Sequence, residues 1–129
     1  MEIGNALNWF EIPVQDFSRA KKFYEKIFNY QMPENQIGSA KMGFLLFDFP
    51  NGKVGGAIVY NPGFYTPQSN GTLVYLNCQP DLQVVLDMVQ SAGGQVLQEK
   101  RIISSEQHLG FWALILDTEG NRVALHSMN

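Results

Sequence analysis

Residues 8–28 read NWFEIPVQDFSRAKKFYEKIF, and this stretch predicts the repeating unit of the fold. Its first seven residues are rich in aromatic and β-branched side chains, which favour a strand. Asp16 follows at the position of a helix N-cap, where its carboxylate can accept hydrogen bonds from free backbone N–H groups. From residue 17 onward the apolar side chains recur at helical spacing, which predicts an amphipathic helix that ends at Asn29.

The same order of features occurs a second time. Residues 72–78 predict a strand, Asp81 is the second N-cap, and Gly93-Gly94 closes the second helix. Three predicted strands follow each helix, and the Asn51-Gly52 pair predicts a two-residue hairpin turn in the first set.

Each half is therefore predicted as a β-α-β-β-β module. The two modules cover approximately residues 6–60 and 72–128, and a linker rich in Pro and Gly joins them at residues 61–71. We expect one α+β domain over residues 1–129, in which the two βαβββ modules form a curved mixed sheet with the helices on its outer face.

Composition narrows the classes of partner. The chain has 129 residues, of which 45% are hydrophobic and 16% charged, as expected for a globular domain. A net charge of −3 and the lack of a basic stripe argue against nucleic acid. The longest apolar runs are too short to span a membrane, and no signal peptide is visible at the N-terminus. The single cysteine, Cys78, has no partner for an internal disulfide, which predicts a cytoplasmic location.

Three motifs occur in an order and spacing that resemble a known family. They are the paired modules, the segment IPVQD at residues 12–16 with its helix, and the segment DTEGNRV at residues 117–123. Together they resemble the vicinal oxygen chelate superfamily, which includes glyoxalase I, extradiol dioxygenases, and bleomycin- and fosfomycin-resistance proteins. The resemblance covers essentially the whole chain and implies the fold described above. It also makes a homodimer a candidate assembly.

The resemblance further implies four positions where metal-dependent members hold a divalent ion, typically through His and Glu. The ion then binds two neighbouring substrate oxygens as a Lewis acid. Counting from the motifs places these positions at Trp9, Gly56 or Ala57, Val74 and Ala124. None of these side chains offers an imidazole, carboxylate or thiolate. We therefore expect no metal site and no cofactor, and glyoxalase I activity is not carried over.

Two side chains are candidates for chemistry on the inner, concave face. Strand alternation places Glu11 there beside Trp9, and His126 there beside Ala124. Glu11 is either a ligand-orienting group or general base, or a structural acceptor near the sheet edge. His126 either pairs with Glu11 to move protons near neutral pH or is a solvated histidine near the C-terminus. A metal site built on these two residues alone would have too few ligands.

Other side chains are candidates for the lining of a pocket, and core packing is the alternative for each. Alternation counted from Val74 also turns Leu76 and Cys78 inward, and Cys78 is expected to be a buried structural thiol because no base is identifiable near it. His108 lies in a polar loop, where it is either part of a lid or simply solvated. The aromatic candidates are Trp9, Tyr60, Phe64, Tyr65, Tyr75 and Trp112.

These observations lead to two functional hypotheses and a structural one. The first is a protein that binds a small, partly apolar molecule on the concave face without a metal. The alternative is a metal-independent lyase or isomerase with Glu11 and His126 as catalytic residues. The third is a structural or dimerisation module with a fully packed concave face. The expected ligand-binding residues are Trp9, Glu11, Ala57, Val74, Leu76, Trp112, Ala124 and His126.

Overall fold

The computed structural model describes residues 4–129, which form two α-helices, eight strands and one short 3-10 helix. None of the helices in this part of the chain is both long and apolar enough to cross a membrane. The elements in chain order are β1 (Trp9–Pro13), α1 (Phe17–Phe28), β2 (Glu34–Ile37), β3 (Ala40–Leu45), the 3-10 helix (Phe49–Asn51), β4 (Gly55–Tyr60), β5 (Val74–Asn77), α2 (Leu82–Val89), β6 (Gln95–Ile102), β7 (Phe111–Leu116) and β8 (Arg122–Ser127).

Both helices begin at the predicted caps. The Asp16 carboxylate accepts a hydrogen bond from the Arg19 backbone N–H at 3.1 Å, and the Asp81 carboxylate accepts one from the Gln83 N–H at 2.9 Å. Asn29 ends α1 in the left-handed conformation, with φ of 49°. The predicted helix boundaries at these caps are thus confirmed.

The strands pair within each module, in the orders β1-β4-β3-β2 and β5-β8-β7-β6. β1 runs parallel to β4 and β5 runs parallel to β8, whereas the remaining pairs are antiparallel. The chain therefore has the predicted α+β fold of two similar modules, and its strands hydrogen-bond as two four-stranded sheets. We call the side of each sheet that packs on the helices the helix face and the opposite side the concave face.

A single hydrophobic core joins the two modules on the helix face. It includes Phe23 and Tyr24 of α1, Leu82 of α2, and residues of both sheets such as Ile58 and Leu125. Because one continuous cluster contains side chains from both helices and both sheets, neither module buries its apolar surface alone.

The predicted two-residue hairpin at Asn51-Gly52 is wrong. β3 already ends at Leu45 and β4 begins at Gly55, so a longer loop with a 3-10 turn separates the two strands. Gly52 does adopt the expected positive φ, at 77°. The ladder cannot continue through Pro50, which lacks a backbone N–H, and the Asp48 carboxylate instead accepts a hydrogen bond from the Asn51 side-chain amide at 2.6 Å.

Candidate functional site

Strand register defines a cluster on the concave face of the first module. Glu11 of β1 lies beside Ala57 of β4, and Ala57 lies beside Phe44 of β3. Ala57 is fully buried at the centre of this row. We call this cluster the first-module recess; besides Glu11, it comprises Trp9, Ala40, Met42, Phe44, Ala57, Val59 and Tyr65.

The register also decides between Gly56 and Ala57 as the inward residue of β4. Gly56 belongs to the helix face, because a Cβ added to it would clash with the ring of Phe10, which packs against the shared core. Ala57 therefore occupies the concave position in β4.

The Glu11 carboxylate is held by an aromatic residue of the linker. Tyr65 packs against the recess, and its hydroxyl donates a hydrogen bond of 2.5 Å to Oε1 of Glu11. This hydrogen bond raises the pKa of the Tyr65 phenol, and burial and the Glu11 charge add to the rise. The sequence identified both residues as candidates, but their contact joins positions far apart in the chain and no local pattern predicts it.

Trp9 supplies the largest aromatic surface of the recess. Its ring centroid lies 6.3 Å from that of Phe44 and 6.4 Å from that of Phe49, and the latter pair meets edge to face. Trp9 is only partly buried, so part of the indole remains available to a ligand.

The second module has a concave face of its own. Tyr75 lies beside Ala124, and His126 lies beside Trp112 in the neighbouring strand. The rings of Tyr75 and Trp112 are 6.5 Å apart, and Tyr75 is 52% exposed. Among the predicted site residues, Trp112, Ala124 and His126 thus share this face.

Glu11 and His126 have different partners. The His126 ring nitrogen Nε2 is hydrogen-bonded to the Leu109 carbonyl oxygen at 2.8 Å, whereas Glu11 is bonded to Tyr65. Within residues 4–129 no ion pair links the two side chains. The direct Glu–His contact considered from the sequence is therefore not formed.

The orientation predicted for Val74, Leu76 and Cys78 is wrong. Leu76 and Cys78, each 3% exposed, are part of the core on the helix face, and Val74 packs against that core. Burial also raises the pKa of the Cys78 thiol to about 12, so little thiolate exists at neutral pH. Tyr75 and Asn77 face the concave side in their place.

The error comes from one additional residue before α2. Val14 donates its backbone N–H to the Val59 carbonyl, and Cys78 donates to the His126 carbonyl in the same way. These two residues are therefore equivalent, yet the N-cap follows two positions after Val14 and three positions after Cys78. A register predicted by counting back from the cap is therefore wrong by one residue, and it assigns every side chain of the strand to the opposite face.

The residues at the metal positions do not fit a metal ion. With the corrected register the four positions are Trp9, Ala57, Leu73 and Ala124. None of these side chains has a donor atom that could bind a divalent cation in a protein. No group of three or more His, Cys, Asp or Glu side chains within the described part of the chain could hold one either.

Two cavities lie outside the recess, where the two modules meet. One lies between β1 and β5, the other lies between the end of α1 and the start of α2, and we call them the seam cavities. One has a volume of about 470 Å³, and Phe10, Phe47, Tyr75 and Leu76 form part of its lining. The other, about 690 Å³, shares Phe47 with it and extends to the start of α2. Both differ from the first-module recess in their lining, which includes neither Trp9 nor Glu11, although Tyr75 and Asn77 of the second module's concave face contribute to it. A ligand therefore has two alternative locations, and variants can distinguish them.

Hydrogen bonds of polar side chains connect the two modules next to the recess. Glu119 accepts hydrogen bonds from the backbone N–H groups of Gln15 and Asp16 at 2.8 and 2.7 Å. It also accepts from Nε of Arg19 at 2.8 Å and from Nη2 at 3.1 Å. Burial raises the pKa of Glu119, but the hydrogen bonds outweigh burial and hold the pKa below its ordinary value. We call Glu119 and these partners the inter-module clamp.

Comparison with known proteins agrees with this architecture. A family model of the glyoxalase/bleomycin resistance protein/dioxygenase superfamily matches residues 6–125, and the chain belongs to this superfamily. A glyoxylase-like domain-containing protein from Didymella fabae is 31% identical over 128 residues, which cover 97% of this chain and 95% of that protein.

Solved structures share the fold at lower identity. A hypothetical protein from S. aureus has a TM-score of 0.68 and 22% identity over 96% of this chain and 95% of its own. Glyoxalase I from Zea mays has a TM-score of 0.67 and 20% identity; the match covers 93% of this chain and 43% of that chain. These similarities establish the fold alone.

Proposed function

We propose that this protein binds a small, partly apolar molecule on its concave face, and that no metal ion at the four superfamily positions takes part. One observation carries the proposal. The metal positions hold Trp9, Ala57, Leu73 and Ala124, while aromatic side chains and a single carboxylate line the same face.

The recess provides both of the features that a small-molecule site needs. Partly buried Trp9 and Phe44 offer apolar surface, whose removal from water contributes roughly 25 cal/mol for each Å² buried. Glu11 offers a directional polar group that can fix the orientation of a ligand. Partly buried Trp112 and His126 lie on the concave face of the second module, where a larger ligand would contact them, whereas Ala124 is fully buried.

The alternative function is a metal-independent lyase or isomerase with Glu11 and His126 as proton-transfer groups. It is supported by the presence of a carboxylate on the concave face of the first module and an imidazole on that of the second. A substrate would have to replace Tyr65 and the Leu109 carbonyl as their partners. Any compound found to bind is incubated with the protein and analysed by mass spectrometry for conversion to a product. Conversion by the wild-type protein that is lost in Glu11→Gln would establish this function.

The binding site can be located with N-phenyl-1-naphthylamine, a neutral apolar fluorophore, and protein pretreated with a chelator. We expect a saturable rise in fluorescence that added Zn²⁺ or Ni²⁺ does not change. Trp9→Ala should weaken binding about tenfold, because a loss of about 1.4 kcal/mol of contact energy has this effect. Phe47→Ala is the matched control, because Phe47 lines both seam cavities and is no part of the recess.

The reverse pattern would overturn the proposal. If Phe47→Ala abolished binding and Trp9→Ala did not, the ligand would occupy the seam. Metal analysis of protein purified without chelator gives a second check, since one equivalent of an ion held by concave side chains would contradict the metal-independent mechanism.

A further inference from the structure

Glu11 is a carboxylate with unused capacity to accept hydrogen bonds. Within residues 4–129 its one side-chain hydrogen bond comes from the neutral hydroxyl of Tyr65. An ionised carboxylate can accept about four hydrogen bonds. The buried carboxylate of Asp117 shows how the protein satisfies such a group, because it accepts from Tyr24, from the Glu119 N–H and from Asn121.

Glu11 also lacks a positive counter-charge in the described residues. Glu119 is paired with Arg19, and Asp81 is paired with Lys100, but no Lys, Arg or His side chain forms an ion pair with Glu11. Arg122 of β8 and Arg101 of β6 lie on the concave face of the second module, and neither forms such a pair. The recess therefore keeps an uncompensated negative charge at its edge.

The surroundings of this charge are aromatic. Trp9 is two residues away on the same face of β1, Phe44 lies across Ala57, and Tyr65 touches the carboxylate itself. The faces of aromatic rings attract cations, and the attraction is stronger where water is excluded. A carboxylate in such a partly desolvated place attracts a cation more strongly than it would in bulk water.

We propose that the recess binds an organic cation with an apolar body, of the alkylammonium or arylammonium class. The cation lies against the rings of Trp9 and Phe44 and makes its charge contact with Glu11, while the Tyr65 hydroxyl yields part or all of its place on the carboxylate. This inference rests on the proposed function and specifies the class of ligand for the same site. A neutral ligand would further desolvate the carboxylate without compensating its charge, and an anion would be repelled.

A matched pair of probes separates charge from shape. Phenyltrimethylammonium and tert-butylbenzene have nearly the same size and differ in one positive charge. Each is titrated as a competitor of N-phenyl-1-naphthylamine at about 20 mM and about 300 mM NaCl. We expect the cation to bind about tenfold more tightly at low salt, and the preference to shrink at high salt because ions screen the attraction.

Two variants should then act in opposite directions. Glu11→Gln removes the charge and should abolish the preference for the cation. Tyr65→Phe removes the competing donor but keeps the ring, so it should strengthen binding of the cation roughly threefold, as expected for release of one ordinary hydrogen bond. Glu106→Gln is the charge-matched control, because Glu106 is exposed in the loop after β6 and should leave the preference intact.

Each contrary outcome has a distinct meaning. If the two probes bind with equal affinity and Trp9→Ala weakens the binding of both, the cation inference is overturned and the proposed function still stands. If neither probe displaces the fluorophore and Trp9→Ala does not weaken fluorophore binding, the proposed function itself is refuted. If Tyr65→Phe and Glu11→Gln weaken cation binding equally, the pair only holds the linker in place. If Glu106→Gln weakens cation binding as much as Glu11→Gln does, the effect is one of net charge. Either result overturns the inference.

Discussion

Glu119→Ala is expected to lower the free energy of unfolding by about 3 kcal/mol, a loss that chemical denaturation can measure. The Glu119 side chain has no exposed area, and it accepts the backbone N–H groups of Gln15 and Asp16 together with the guanidinium of Arg19. Its removal leaves the two backbone donors without their partner. Because these donors lie between β1 and α1, the loss loosens the contact between the modules.

The effect depends on pH in a defined direction. The pKa of Glu119 in the folded protein lies below its ordinary value of 4.5, so the ionised form favours folding. This contribution is present above the unfolded pKa and is lost as pH falls through the folded pKa. We expect the stability difference between wild type and Glu119→Gln to be largest near neutral pH and to shrink below about pH 4.5.

Glu106→Ala provides the control, because this exposed carboxylate should change stability by less than about 0.5 kcal/mol. An equal loss in the two variants, or a Glu119→Ala protein as stable as wild type, would contradict the structural role assigned to the clamp.

Phe23→Ala is expected to cost about 4 kcal/mol and to lower the melting temperature by more than about 10 °C. Phe23 is 1% exposed at the centre of the shared core, and its ring meets that of Tyr24 edge to face at 4.9 Å. Truncation removes the whole ring from a closely packed site and leaves a cavity that neighbours fill only in part. Thermal unfolding followed by circular dichroism measures the change.

The same substitution at Phe64 tests the role of burial. Phe64 is 81% exposed in the linker, so Phe64→Ala should shift the melting temperature by only a degree or two. A similar loss at the two sites would mean that the shared core does not hold the two modules together.

The clamp and the core bear directly on the candidate site. Gln15 and Asp16 follow β1 within three residues, and β1 carries Trp9 and Glu11. Restraint of the β1–α1 connection therefore also restrains the position of β1 in the recess. A weakened clamp should reduce fluorophore binding before it unfolds the protein.

Local patterns predicted the elements well where one short stretch contained the whole signal. Asp16 and Asp81 were recognisable as caps because the capping hydrogen bond joins residues two or three positions apart. Glu11 and Trp9 could be placed on one face because alternation holds along a single strand. Counting from the family motifs placed Ala124 on the concave face, but it left Gly56 and Ala57 as alternatives that only the strand register separated.

The errors arose where a local rule had to be carried across a longer distance. The Asn51-Gly52 signal correctly indicated a positive φ at Gly52, but it could not show that β3 stops at Leu45. Counting back from Asp81 reversed Val74 and Leu76, because the connection before α2 has one residue more than its counterpart.

The sequence by itself determined the two modules, the caps of their helices and the non-ligating side chains Trp9 and Ala124, because each depends on residue type and short-range spacing. Only the tertiary structure decided which face β5 presents, which residue holds Glu11, and how Glu119 joins the modules. Those outcomes depend on contacts between residues that are tens of positions apart, as with Tyr65 and Glu11 or Glu119 and Gln15. Glu119 reaches Gln15 only when the shared core has brought the two modules together, and Tyr65 reaches Glu11 only when the linker folds back onto the first sheet.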